Sequence, residues 1–303
     1  MVRTDGDTWD PATGVGMTAT FGAVARAVGT NKGLINDPFA EPLVRAAGVE
    51  YFIRVIEDEQ YAADGGGDPV MYGMLNILAV HGRFLDEYLT RAARAGIRQA
   101  VNLGCGLDTR AYRLWWPPGT TVYECDQPGV MDFKAQVLRG LGGKLTTHRC
   151  AVGVDLRDDW LTALRRVGFD PAQPTVWIAE NLLIGYLPPD AQDRLLHQLS
   201  ASSAAGSRFA ADHMPWTEAQ LQEGRAFIDG WRQEGGLDID LAKLTYSAEF
   251  GSLPENLEAH GWRTNDRTLV ELLSTVGLAG RRRVSRHDLA ITPRYVTAMM
   301  GDR

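Results

Sequence analysis

A chain of 303 residues, 45% hydrophobic and 23% charged, has the composition of an ordinary globular protein that can bury a sizeable core. A net charge of −7, with Arg281-Arg282-Arg283 as the one basic run, excludes the clustered positive surface that a nucleic-acid backbone demands. Three cysteines, odd in number and without C-x-x-C spacing, predict free thiols rather than a disulfide framework.

Taken in order, residues 1–11 are polar and acidic, which predicts no secretory leader and a cytoplasmic protein. Residues 17–28 are Ala-rich, with Phe21, Val24 and Ala25 on one helical face. Asp37-Pro38 reads as an N-cap with proline at the first helical position, for a helix running to Gly48. After a Gly65-Gly66-Gly67 break, apolar residues from Met71 to Ala92 recur at three- and four-residue steps, which predicts a long amphipathic helix closing at Gly96. No apolar run reaches about 18 residues, so no membrane span is predicted.

The chain is organised around residues 99–114. Residues 100–103 form a short apolar strand that breaks at Gly104-Cys105-Gly106 and resumes as a helix after Asp108 or Thr109. A strand ending in Gly-x-Gly before a helix brings bare backbone to a ligand at the carboxyl edge of a parallel sheet. Thr109 stands where the dinucleotide fingerprint needs its third glycine, which disfavours a plain NAD site. A second strand, residues 121–126, ends in Asp126, twenty residues past Gly106 and placed to accept from ribose hydroxyls. A nucleoside-containing ligand follows from that pair.

Beyond it, strands over 146–154, 174–179 and 207–213 alternate with helices over 128–141, 158–166 and 189–200, the signature of a mostly parallel α/β sheet. Residues 215–262 break the rhythm with a predicted helix over 218–231 and a capping box at Ser252-Leu-Pro-Glu255. Asp266 is predicted to cap a helix over 268–276, and strands over 281–286 and 295–300 to close the chain.

Leu103-Gly-Cys-Gly-Leu-Asp-Thr-Arg-Ala-Tyr-Arg-Leu114, Tyr123-Glu-Cys-Asp-Gln-Pro128, Val154-Asp-Leu-Arg-Asp-Asp-Trp160 and Trp177-Ile-Ala-Glu-Asn-Leu-Leu183 occur in this order. Together they resemble the leucine carboxyl methyltransferase-like family of S-adenosylmethionine-dependent methyltransferases, over about residues 14–296. The resemblance implies a class I, Rossmann-like fold: a seven-stranded, mostly parallel sheet with an antiparallel final pair. It implies a helical lid over residues 1–98 and an α/β core over 99–303, in one structural unit. The insertion over 215–262 reads from its placement as an acceptor-binding cap, its aromatics Phe227, Trp231, Tyr246, Phe250 and Trp262 taken as a group, though any single one reads as satellite core. S-adenosyl-L-methionine is the implied cofactor, and a carboxylate or hydroxyl of a small molecule the implied methyl acceptor.

On spacing alone Asp155 reads as a helix cap; the resemblance implies instead an adenine contact, with Leu156 packed on the ring. Glu180 ends a strand beside Gly-x-Gly, where it would bind the donor's amino group or offset its sulfonium charge; the family usually carries Glu-Gly where this chain has Asn181. Arg83 is, by analogy, a cation for the donor's carboxylate. A carboxylate acceptor needs no base, whereas a hydroxyl acceptor could use His213. No metal-ligand spacing and no G-x-S-x-G elbow occurs. The competing readings are a nucleotide-dependent oxidoreductase and a non-catalytic nucleoside-binding protein.

Overall fold

Among the described residues of the computed structural model, four helices precede the first strand: α1 (Gly14–Asn31), α2 (Ala40–Ala47), α3 (Glu50–Glu57) and α4 (Pro69–Arg94). The structure describes residues 10–58, 69–214, 222–223, 226, 244–246, 250–275 and 293–302. Ala23, Val24 and Val28 of α1 bury against Leu43 and Val44 of α2 and Phe52 and Val55 of α3, a cluster that also takes in Leu107 and Leu244. Helix α2 begins later than Asp37-Pro38 suggested, because the Asp37 carboxylate is committed elsewhere. It accepts from Arg26 Nε at 3.0 Å and from the Phe39 amide at 3.2 Å, so residues 37–39 form a turn. The helix ends as expected at Gly48, whose φ of +72° is the left-handed stop glycine favours.

The sheet elements follow as β1 (Gln99–Leu103), α5 (Arg110–Arg113), β2 (Thr121–Asp126), α6 (Pro128–Gly140), β3 (His148–Gly153), α7 (Trp160–Arg166), β4 (Thr175–Leu183), α8 (Pro189–Ala201) and β5 (Arg208–His213). The chain then adds α9 (Leu253–Ala259), β6 (Trp262–Arg267), α10 (Leu269–Thr275) and β7 (Arg294–Met300). The strand order is β3-β2-β1-β4-β5-β7-β6, parallel from β3 to β5, with β7 antiparallel to both β5 and β6. The order reverses between β1 and β4, and ligands of open α/β sheets bind outside the carboxyl ends of strands at such a switch point.

Side-chain alternation along each strand divides the core. Val101, Leu103, Tyr123, Trp177 and Phe209 face Trp160, Leu164, Leu195, Leu199 and Leu257 on one side of the sheet. Ala100, Val122, Ile178, Ala210 and Tyr295 face Val80, Phe84, Leu85 and Leu89 of α4, with Leu269 and Leu272 of α10, on the other. Each fully buried large apolar side chain contributes about 1.5–3 kcal/mol, so α4 is bound to the sheet by much more than its connecting loops.

One region departs from expectation. Residues 262–267 form strand β6, so Asp266 lies inside a strand and caps nothing. Helix α10 is opened instead by Thr268 and Glu271: the Thr268 amide donates to the Glu271 carboxylate at 2.7 Å and the Glu271 amide to Thr268 Oγ1 at 3.3 Å. The predicted antiparallel final pair exists, but it joins β7 to 262–267; the predicted strand over 281–286 lies outside the described residues, as does most of the predicted helix over 218–231. Ser252 caps α9 as predicted, accepting from the Glu255 amide at 3.4 Å. Among the described residues no helix is long and apolar enough to cross a membrane.

Candidate active site at the carboxyl edge

The glycine loop turns where β1 ends. Gly104 and Gly106 take φ of +65° and +49°, which β-carbon-bearing residues rarely adopt. A Cβ on Gly104 would come to 3.1 Å from Leu182, and one on Gly106 to 3.2 Å from Ala19 of α1. The loop is therefore fixed between β4 and helix α1. Cys105 between them is buried, its thiol pushed well up by burial, so smallness explains it better than thiol chemistry.

Asp126 stands over this turn. One carboxylate oxygen accepts from the Gly106 amide at 2.7 Å and the other from the Gln127 amide at 2.8 Å. A carboxylate has room for about four hydrogen bonds, so two acceptor directions remain for ribose hydroxyls. Burial raises its carboxyl above the ordinary range despite those two donors.

Next along the edge, Asp155 accepts from the Gln127 side chain at 3.1 Å and is gripped by Arg157, through Nη2 at 2.6 Å and the backbone amide at 2.9 Å. Burial would raise this carboxyl, but the Arg157 hydrogen bonds hold it below the usual range. Asp155 caps no helix: Asp159 does so for α7, accepting from the Thr162 amide at 3.2 Å. Leu156 is buried in the core cluster with Trp160 and Leu164.

On the other side of the glycines, Glu180 occurs where β4 bulges against β5 between Ala179 and Leu183. Asn181 follows with φ of +55°, the one positive-φ residue other than glycine among the described residues. Asparagine is one of the few side chains that tolerate that conformation, so the turn of a Glu-Gly sequence survives the substitution. Its amide donates to Asp212 Oδ1 at 2.6 Å.

Glu180 is held by a residue not among the expected site residues. Arg110, 1% exposed, donates through Nη1 to Glu180 at 2.6 Å and to Asp108, through Nε to Asp86 of α4 at 2.6 Å, and through Nη2 to the Gly82 carbonyl at 3.2 Å. Arg113 reaches the same Asp86 at 2.5 Å and lies 3.6 Å from Asp37. Asp37 binds Arg26, whose Nη2 donates to the Leu107 carbonyl at 2.8 Å. A chain of alternating charges, Arg26, Asp37, Arg113, Asp86, Arg110 and Glu180, thus runs from α1 to β4. Burial would raise the Asp108 and Glu180 carboxyls, but Arg110 heads the cations that hold both below the ordinary range. The sequence signal was present in Asp108-Thr-Arg110-Ala-Tyr-Arg113, which sets two arginines three apart on the first turn after the glycines.

Two predicted residues do not join this constellation. Arg83 is 40% exposed and pairs with Glu87 one helical turn on, at 3.2 Å. His213 is buried, with its Nε2 committed to Asp266 at 3.2 Å, and Asp266 in turn accepts from Arg294 at 2.6 Å. A surface cleft of about 490 Å³, lined by Ala27, Thr30, Asp37, Pro38 and Arg45, lies between α1 and α2 and takes in only Asp37 of the charge chain.

The donor set suits a ligand with ribose hydroxyls at one end and positive charge at the other. Paired acceptors stand at Asp126, bare backbone at the glycines, and an excess of carboxylates around Glu180. In comparison with known proteins, residues 18–200 match the family model described as leucine carboxyl methyltransferase. The chain is 59% identical to a protein of Mycobacterium avium (strain 104) assigned to the S-adenosyl-L-methionine-dependent methyltransferases, over 94% of this chain and 97% of that one. A Mycolicibacterium smegmatis relative with the same assignment is 48% identical over 92% and 94% of the two chains. Among solved structures, a DUF574-family protein from Streptomyces avermitilis superposes with a TM-score of 0.53 at 15% identity, covering 91% of this chain and 96% of that one, which supports the fold.

Proposed function

Because the chain belongs to the leucine carboxyl methyltransferase family, we propose that it moves a methyl group onto an oxygen, carboxylate or hydroxyl, of a small molecule. It is an S-adenosyl-L-methionine-dependent methyltransferase. The observation that carries the site assignment is the convergence of Gly104, Gly106, Asp126 and Glu180 on one edge at the switch between β1 and β4.

In this reading Asp126 accepts from the ribose hydroxyls, Asp155 from the adenine amino group, and the Gly104–Gly106 backbone admits the donor's chain. Glu180 shares its charge between Arg110 and the donor's amino group. Leu156 backs the adenine site from the core. The donor supplies a sulfonium-activated methyl, and the protein aligns acceptor oxygen and methyl carbon at about 3–3.5 Å while excluding water. Residues 1–98 act as a lid, since α1 touches Gly106 and α4 supplies Asp86 and the Gly82 carbonyl. Within 215–262 the described stretch 244–246 supports an acceptor-side cover: Leu244 joins the lid cluster, and the Tyr246 amide donates at 2.8 Å to the carbonyl of Gly185 in the loop after β4.

The test is thermal unfolding with S-adenosylmethionine, S-adenosylhomocysteine and NADH added separately. Ligand at 100 times its Kd adds about 2.7 kcal/mol. Stabilisation by the two adenosyl-sulfur compounds, with a methylated oxygen found in product by mass spectrometry, supports the reading. Stabilisation by NADH alone, or methyl found on carbon or nitrogen, sinks it.

A further inference from the structure

Three buried polar atoms without a partner among the described residues meet in one place: His81 Nε2, Asp212 Oδ2 and Tyr295 Oη. These residues are at most 1% exposed and come from three elements, α4, β5 and β7. His81 Nδ1 lies 3.9 Å from Asp212 Oδ1, its ring lies 4.9 Å from that of Tyr295, and Asp212 and Tyr295 are cross-strand neighbours. Buried polar groups are nearly always satisfied, so three orphans in one cluster mark groups shaped for something other than their own packing.

Their position says what. Along the carboxyl edge the strands run β2, β1, β4, β5, β7, and carry in turn Asp126, the glycines, Glu180, Asp212 and Tyr295. A donor laid across the first three sets its amino group at Glu180 with its sulfonium methyl one short carbon chain away, and the next groups along the edge are the orphaned ones. Gly82, beside His81 on α4, approaches Glu180 so closely that a Cβ there would stand 3.6 Å from its carboxylate. Asp212 is itself fixed, taking the Asn181 amide at 2.6 Å on the oxygen that faces His81. With Nδ1–H turned toward that carboxylate, Nε2 carries the lone pair. A separation of 3.9 Å is long for a hydrogen bond, as such contacts often are before a reacting complex forms.

We propose, building on the donor site assigned above, that His81 is the base that takes the proton of a hydroxyl acceptor, with Asp212 as its positioning residue. The acceptor O–H bond breaks with its proton passing to Nε2. The oxygen's electron pair forms the new O–CH₃ bond, and the pair of the S–CH₃ bond returns to sulfur. The products are a methyl ether, S-adenosylhomocysteine and an imidazolium facing Asp212. A carboxylate acceptor would need none of this apparatus, so the cluster assigns the acceptor class as phenol or alcohol.

Nitrogen-15 NMR of the imidazoles in the full chain with S-adenosylhomocysteine bound tests the assignment, His81 being identified by its loss in His81→Gln or, should that variant not fold, by replacing the other histidines. The expected tautomer of the neutral ring carries its proton on Nδ1 and leaves Nε2 bare, a preference scrambled by Asp212→Asn. A ring protonated at Nε2, or one that stays imidazolium, overturns the proposal. Calorimetry separates this from the donor site: S-adenosylhomocysteine should bind His81→Gln within about threefold of the wild-type Kd. A loss of tenfold or more moves His81 into the donor site and overturns the proposal, whereas no binding to the wild type fails the donor reading. With S-adenosylhomocysteine bound, 4-nitrophenol should bind the wild type in its coloured, ionised form and the His81→Gln variant uncoloured; colourless or absent binding to the wild type overturns it too.

Discussion

Replacing Arg110 by methionine keeps side-chain volume and removes the charge on which three carboxylates depend. Asp86, Asp108 and Glu180 have side chains 14%, 4% and 12% exposed, so water cannot replace the lost cation. Removing one partner of a buried ion pair costs about 3–5 kcal/mol, because the remaining charge is left buried and unpaired. At roughly 2–4 °C per kcal/mol for a chain of this size, Tm should fall by on the order of 6–20 °C. The pH dependence is diagnostic. The Asp108 and Glu180 carboxyls are depressed in the folded wild type, so their contribution is present above the unfolded value of about 4 and is lost as pH falls through the folded values. Without Arg110 the same acids are raised, and the variant regains stability relative to wild type as they protonate. Urea unfolding at pH 7 and near pH 4.5 should show the gap narrowing on acidification. A gap under about 1 kcal/mol at pH 7, or one that does not change with pH, would refute the network as drawn. Arg110→Lys should recover only part of the loss, because a point charge cannot fork to three acceptors.

Asp126→Ala should abolish the stabilisation by S-adenosylhomocysteine in a thermal scan; binding retained within about threefold would place the ribose elsewhere. Asn181→Ala should cost about 1–2 kcal/mol in urea unfolding, since alanine pays the full left-handed penalty, whereas Asn181→Gly should stay within about 0.5 kcal/mol of wild type. Equal losses for the two would mean that the side chain matters more than the backbone angle. Gly106→Ala adds a Cβ at +49° and 3.2 Å from Ala19, so hydrogen exchange should show α1 protected less than α6, with donor affinity lowered at least tenfold.

How legible was this in the chain? The β1 glycines, Asp126 and the alternation of strand and helix could be read because each is a local signal, set by backbone conformation or by side-chain period. Strand β6 could not. Trp262-Arg-Thr-Asn-Asp-Arg267 lies at the sheet's edge with a single neighbour, so it needs little apolar alternation, and Asp266 there reads like a cap. Arg110 and Arg113 were hidden for a different reason. An arginine next to a glycine loop reads as a surface side chain until Asp37 and Asp86, far off in sequence, are brought beside it. The same holds for His81, whose partners Asp212 and Tyr295 are fixed only by strand pairing.

The alternating arginines and carboxylates also bear on how freely parts of this enzyme can be exchanged with those of relatives. Arg26, Asp37 and Asp86 are supplied from before the first strand, while Arg110, Arg113 and Glu180 come from after it. A graft of the first 98 residues from another protein would carry over only one side of each cross-boundary pairing. Unless the donor's charges stood at matching positions, every junction would bury a lone ion. Specificity engineering in this scaffold therefore has a natural constraint: the segments that carry Arg26, Asp37 and Asp86 and the β1 motif that carries Arg110 and Arg113 must be inherited together.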